Sequence, residues 1–458
     1  MGHSATERRA DHLRRRIRVA RGEEPGDLLL TGGRVLNVFT GEIGPGDVVV
    51  ADGRIVGVGP YAWSAPETMD LEGQIVLPGL IDAHMHLEST LLTPAELARV
   101  VVPHGTTTII ADPHEIANVL GVPGIEMLLE ASEGLPLDIF YMAPSCVPAA
   151  PFEHAGAVLD AEAVAQVLRH QRVLGLAEMM NFPGVLAGDD DVVKKLVCAA
   201  EAELTIDGHA PGLSGRDLVA YVAAGIRSDH ESTTPEEALA KARLGMLVQV
   251  REGSSAKNLD SLLPLIRAGK LGRWCLCTDD VHPDDLLEQG HLDARLRRVI
   301  AAGVSAAEAV RHVSLVPAEH YGLDDRGAIA PGYRADLIVV DDLDRLNVTS
   351  VLKDGLVVAR DGQYRATPAA KPVPEQNSVR IAELSERDFQ LRLSADEALV
   401  IEVVPEQIVT RKQTIRVCRR DGVWQFDPDQ DVLLVASIER HQATGQVGLG
   451  LVTGFALK

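Results

Sequence analysis

A chain of 458 residues with 46% hydrophobic content can bury a large core and should hold more than one domain. Its 66 acidic against 44 basic residues, net −22, disfavour nucleic acid and anionic membrane as partners over most of the surface. No stretch approaches the ~18–20 uninterrupted apolar residues of a membrane helix, and no secretion signal opens the chain, so a cytoplasmic protein is expected. Five cysteines (Cys146, Cys198, Cys275, Cys277 and Cys418) form neither a disulfide framework nor a CxxC zinc pair, which agrees with a reducing compartment.

Residues 1–25 read as a basic helix in which Arg8, Arg9, Arg14, Arg15, Arg16, Arg18 and Arg21 crowd together. Packing on the acidic body, or at a subunit contact, is the expected use of that helix, in preference to a nucleic-acid arm. Residues 26–75 are short β-rich runs split by glycine turns, with Asp52-Gly53 a good hairpin. A matching set lies at 326–366, and neither set alone makes a stable sheet core. Together they predict one small β-sandwich built from both flanks of what lies between.

Between them, residues 76–325 alternate apolar, β-branched runs with helical periodicity. The strand candidates are Gln74–Ile81, Thr106–Pro113, Asp138–Pro148, Leu174–Asn181, Leu204–Ala210, Ile226–Glu231, Met246–Ser254 and Arg273–Asp280. Helical segments such as 95–102, 161–174, 190–203, 235–244 and 258–268 separate them. Such alternation predicts an α/β fold with a parallel sheet, and eight units of this length predict a (β/α)8 TIM barrel of the usual ~250 residues. A Pro/Ala-rich linker at 366–374 then leads to a C-terminal α/β or β-rich domain, 375–458.

Chemistry in such barrels sits at the C-terminal ends of the strands. Here those ends read His84-Met85-His86, Asp112-Pro113-His114-Glu115, Ser145-Cys146, Glu178-Met179-Met180-Asn181, Asp207-Gly208-His209, Ser228-Asp229-His230-Glu231, Arg251-Glu252 and Thr278-Asp279-Asp280. Two histidines one residue apart at a strand end share a side, because side chains alternate with period two, and can grip one divalent ion. A lone pair proves little. Further imidazoles and carboxylates at other strand ends make metal binding the expected reading. Cys146 fits a packed thiol as well as a site residue.

The strings PGLIDAHMHLEST, GTTTIIADPHEIANVLG, MAPSCVPA, GLAEMMNFPGV, DGHAPGL, SDHES, REGSSAKNL, CTDDVHPDDLL and GAIAPGYRADL closely resemble the prokaryotic adenine deaminases of the amidohydrolase superfamily, from about residue 26 to the end. That resemblance implies a metal-dependent barrel with two divalent ions, manganese or iron being the usual candidates and zinc not excluded by the ligand types. It implies His84, His86 and Asp279 at the first ion and His209 and His230 at the second. Glu178 would bridge the two, where many related hydrolases use a carboxylated lysine. The implied substrate is adenine, converted to hypoxanthine in purine salvage, by a chain expected to form a homo-oligomer (a dimer). Related chains continue past Lys458, so the C-terminal domain is expected to be incomplete.

Hydrolysis at C6 requires water activated by metal, a base and a ring acid. Asp279 would take the proton from water and pass it to the leaving amine. For the acid, Glu115, Glu231 and Asp280 are the candidates in that order, and Asn118, Ser145, Met180 and Asn181 are further candidate purine contacts. Met180 fits core packing equally. Two rivals remain: a cyclic-amide hydrolase of the dihydroorotase or hydantoinase kind, and a silent barrel that binds metal or purine.

Overall fold

The computed structural model describes residues 5–367 and 371–456. Residues 1–4 of the expected basic helix, 368–370 of the expected linker, and the last two residues lie outside that range.

Eight parallel strands form the centre: β1 (Leu80–Met85), β2 (Thr106–Ala111), β3 (Asp138–Ala143), β4 (Val173–Met179), β5 (Thr205–Gly208), β6 (Ser228–Asp229), β7 (Leu247–Arg251) and β8 (Trp274–Cys277). β1 to β5 pair in sequence order, as do β6 to β8. The Arg227 amide, which donates to Ile206 O at 2.9 Å, joins the two groups on one side. A parallel bridge between Met85 and Asp279 joins them on the other. Helices follow the strands, and their apolar stripes (Leu97 and Val101, Leu196 and Ala199, Leu262 and Ile266) meet strand residues such as Leu80, Ile109 and Val250 in one core. This is the expected (β/α)8 architecture. Strands buried on both faces explain why the runs are continuously apolar instead of alternating.

The first run differs from its sequence reading. Gln74–Ile81 is not one barrel strand, because it divides at Gly79, where any Cβ would meet the Thr107 side chain at 2.2 Å. Ile75–Pro78 pairs antiparallel with Leu337–Val340 in another sheet, and β1 starts only at Leu80. The helix expected at 161–174 also stops early, at Val167, because Val173 already belongs to β4.

Beside the barrel lies a seven-stranded sheet that runs from Gln363–Tyr364 through Leu356–Arg360, Val348–Lys353, Leu337–Val340, Ile75–Pro78 and Arg34–Leu36 to Ile43–Pro45. Leu337 and Val339 face a second, four-stranded sheet and join Leu28, Leu30, Val48 and Val50. Ile338 and Val340 point the other way, into the barrel's core. The helix Ala5–Ala20 packs Val19 on that second sheet, and Arg15 donates to Asp27 at 2.6 Å and to Asp52 at 2.7 Å. A small C-terminal sheet orders Thr410–Arg416, Glu397–Val403, Val447–Thr453 and Leu433–Ile438 around a core of Ala398, Val400, Val417, Val432 and Leu451. No helix among the described residues is long and apolar enough to cross a membrane.

Candidate metal centre and active site

The polar residues that stop the strands converge on one end of the barrel. His84 lies in β1 and His86 just beyond it, with their Nε2 atoms 3.2 Å apart. Asp279 follows β8 with a left-handed backbone, φ 57°, a conformation costly for a non-glycine residue. It is held there by two main-chain bonds: its amide donates to His84 O at 3.0 Å, and the His86 amide donates to Asp279 O at 3.4 Å. Its Oδ1 thereby sits 3.0 Å from His86 Nε2 and 3.6 Å from His84 Nε2.

Glu178, near the end of β4, faces both sides of the cluster. Its Oε1 is 3.5 Å from His86 Nε2, and its Oε2 is 3.1 Å from His230 Nε2 and in contact with His209 Nδ1. His84, His86 and Asp279 thus form one group of potential ligands, and His84, Glu178 and His230 form a second that shares His84. A third joins His209, His230 and Glu231.

Buried polar groups brace these side chains from behind. Asp229 accepts hydrogen bonds from the Ala210 and Glu231 amides, each at 3.0 Å, and so fixes the segments that carry His209 and His230. Lys241 pairs with Asp229 at 2.6 Å. Asp82 accepts from the His84 amide at 3.3 Å and from the Thr278 hydroxyl at 2.7 Å, and so ties β1 to β8. Arg251, buried at the end of β7, donates to Asp279 Oδ2 at 2.7 Å and forks onto Glu231.

Burial opposes charge at Glu178, Asp279, His230 and His86, yet there the opposite charges prevail. Burial raises the Glu178 carboxyl, but His209, His230 and a bond from His114 hold it well below the ordinary range. Burial raises Asp279 as well, and His84, His86 and His230 hold it well below. Burial lowers His230 and His86; nearby carboxylates, Glu178 for the former and Glu115 with Asp279 for the latter, drive both well above 6.5. Imidazoles that bind protons only because carboxylates face them are the donors that divalent cations take in exchange for those protons. The donor groups therefore fit divalent metal.

Other sequence-selected residues have varied placements. Glu115 Oε2 lies 3.4 Å from His86 Nδ1, so it reaches the cluster. Glu231 is bound by Arg251 and lies 3.3 Å from His230 Nε2. Asp280 accepts from the Ser89 hydroxyl. Ser145 donates to Glu178 O at 2.5 Å, and Asn181 caps the helix Phe182–Ala187 through Gly184 N at 2.9 Å, so both are engaged in shaping the β4 end. Met180 packs half-buried against the main core. Asn118 lines a cleft beside the C-terminal domain.

Three groups escaped the sequence reading of the site. His114 lies 3.3 Å from Glu178 Oε1 and 3.2 Å from Asp112 Oδ2. It was visible in the Asp112–Glu115 string. Arg251 also stood at a strand end, but an arginine there resembles a solvated stop. Glu88, half-buried two residues after His86, accepts from the Ile116 amide at 3.0 Å. Burial and the neighbouring Glu115 charge push its carboxyl up to about 7.

The amidohydrolase family profile matches residues 75–358, and that of the adenine deaminase C-terminal domain matches 407–458. An adenine deaminase from Desulfatibacillum aliphaticivorans is 47% identical over 442 residues, 96% of this chain and 77% of that protein. The chain belongs to the adenine deaminase family of amidohydrolases. Another adenine deaminase, from Methanothrix thermoacetophila, is also 47% identical and covers 96% of this chain and 77% of its own. Among solved structures, a beta-aspartyl dipeptidase from Fervidobacterium islandicum superposes with a TM-score of 0.56 at 18% identity, over 76% of this chain and 99% of its own. A zinc-bound adenosine deaminase from Xanthomonas campestris gives 0.52 at 16% identity, over 75% and 95%. These two share the fold. For the adenine deaminase family, the resemblance read from the strings is borne out along the barrel and beyond it.

Proposed function

We propose that the chain hydrolyses adenine to hypoxanthine and ammonia at a two-metal centre, in purine salvage. The carrying observation is the convergence of His84, His86, Glu178, His209, His230 and Asp279 in a chain 47% identical to adenine deaminases over nearly its whole length. His84, His86 and Asp279 would hold one ion, His209 and His230 the other, with Glu178 between them. Manganese or iron suits these imidazole and carboxylate ligands, and zinc is the alternative. Ions bound there supply the positive charge that lowers the pKa of water towards ~7.

The chain's own residues account for the rest. Asp279 is buried, ionised and fixed through Oδ2 by Arg251, which leaves Oδ1 facing the centre to accept a proton from water and return it to the departing amine. Glu115, 3.4 Å from His86 Nδ1, would protonate the ring. Burial raises its carboxyl, but His86 and His114 hold it below the ordinary range, so it would take that proton from within the site. Glu88, pushed up to about 7, is the neighbouring carboxyl that would supply it. Glu231 suits that task less well, since the Arg251 fork takes up both of its carboxylate oxygens.

Asp112 Oδ1 and Asn118 Oδ1 are buried without a hydrogen-bond partner among the described residues. Buried acceptors of this kind call for a donor, and a purine edge supplies N–H groups. The site is read as that of a cytoplasmic homodimer acting on a small molecule. Ultraviolet turnover assays with adenine, dihydroorotate and hydantoin test the reading. Turnover of adenine alone is expected, and turnover of a cyclic amide with no adenine activity would replace it with the cyclic-amide reading.

A further inference from the structure

The C-terminal domain touches the barrel beside β7, and the contact leads inward to Asp279. Gln407 stands at its end. The Gln407 side chain donates to Lys257 O at 3.4 Å and accepts from Asn258 Nδ2 at 3.3 Å. The Lys257 amide donates to Glu406 O at 3.1 Å, and the Lys257 ammonium lies 3.4 Å from the Glu406 carboxylate. Asn258 then accepts from Arg251 Nε at 3.2 Å, and its amide donates to Arg251 O at 2.9 Å. Arg251 completes the path with its bond to Asp279 Oδ2 at 2.7 Å.

Asn258 occupies the N-cap of the helix Leu259–Arg267, a position where an asparagine normally accepts from the first turn. Here it makes no such bond. The Leu259 amide, at the first helical position, donates to Glu252 Oε2 at 3.0 Å. The Asn258 carbonyl is thereby free to orient the guanidinium, and its amide nitrogen to meet Gln407. The arrangement is more than charge neutralisation. Arg251 uses Nη1 and Nη2 on Glu231, Nη1 on Asp279 and Nε on Asn258, a fixed fork that an ammonium cannot reproduce.

We propose that Arg251 is a positioning residue that aims Asp279 at the reacting water, and that the C-terminal domain, through Gln407 and Asn258, holds Arg251 in that pose. The domain is then part of the active site's support. The domain approaches the barrel at a second place, across a cleft of about 830 Å³ lined by Asn118 and His154 of the barrel and by Glu439, Arg440 and His441. At its side, a Cβ on Gly156 would come within 3.0 Å of His441 Nδ1.

The inference rests on the proposed deaminase reading and is tested on the full chain. Gln407→Ala lies far from the chemistry, yet kcat for adenine should fall about 3–30-fold, with KM within about twofold and metal content unchanged. Arg251→Lys keeps the charge and should fall further, and adding Gln407→Ala to it should cost no more than Arg251→Lys alone, because the two act in one path. Wild-type kcat in Gln407→Ala, or independent additive losses, would overturn the proposal.

A measurement without turnover accompanies these. Coupling is reciprocal, so loading the site with Mn2+ should slow hydrogen exchange of the Lys257 amide and of residues 404–410 in the wild type, and not in Asn258→Ala. Equal slowing in both proteins would contradict the relay. Absence of adenine turnover in the wild type would sink the functional reading, while the exchange data would still judge the relay.

Discussion

The barrel mouth and the C-terminal sheet handle polar atoms in opposite ways. Strands β1, β2, β7 and β8 are buried at every residue, and charged groups at the barrel's strand ends must be matched inside the protein: Asp279 after β8 by Arg251, and Glu178 in β4 by histidines. The strand Glu397–Val403 instead alternates, with Leu399 62% exposed beside buried Val400. Water satisfies one face of that sheet and a small core the other. The lesson is that chemistry resides where burial compels pairing, and the thin sheet acts only through the few side chains it lends to the barrel.

Substitutions should therefore separate the two regions by size of effect. Asp279→Asn removes the proposed base and should lower kcat by about 10²–10⁴-fold in steady-state assays, with the fold intact by circular dichroism. Glu178→Gln should lose most activity together with bound metal, measured by elemental analysis; full activity with two ions would remove its bridging role. Lys241→Met leaves Asp229 buried and uncompensated and should cost about 3–5 kcal/mol in urea unfolding.

A titration probes the barrel's interior directly. Burial lowers His312 to about 4, while its Nδ1–H donates to Trp274 O at 2.6 Å and its ring stacks on Trp274 at 4.2 Å. Its folded pKa lies below the unfolded value of ~6.5, so this stabilisation is complete above that pH and is lost as pH falls towards 4. The loss is up to roughly 3 kcal/mol, and His312→Gln should flatten that part of the stability curve. At the small end, Leu399→Ser on the open face of the C-terminal sheet should shift stability by no more than about 0.5 kcal/mol. A large loss there would mean that the face is covered in solution.

Legibility in the sequence follows the same division. The barrel was readable because buried parallel strands leave long apolar runs, and the residues that interrupt them are few and chemically loud. His84, His86, Glu178, His209, His230 and Asp279 each end such a run, and the structure brings them within reach of one another. Boundaries were harder: both halves of Gln74–Ile81 are equally apolar, and only Pro78-Gly79 marks the point where the chain passes from one sheet to another. Side-chain commitments were invisible too. Ser145 and Asn181 stand where substrate contacts could lie, yet their oxygens serve the Glu178 carbonyl and a helix cap. Arg251 and Gln407 meet only through a contact between residues far apart in sequence, which no local pattern records.

The most direct test of the account is a single preparation of the full chain, reconstituted with Mn2+, its bound metal counted and its conversion of adenine to hypoxanthine followed by ultraviolet absorbance. The account predicts two ions per chain, turnover of adenine, and loss of both on chelation with recovery on re-addition. Adenine turnover that persists after all metal is removed, or two bound ions with no adenine turnover, would contradict it.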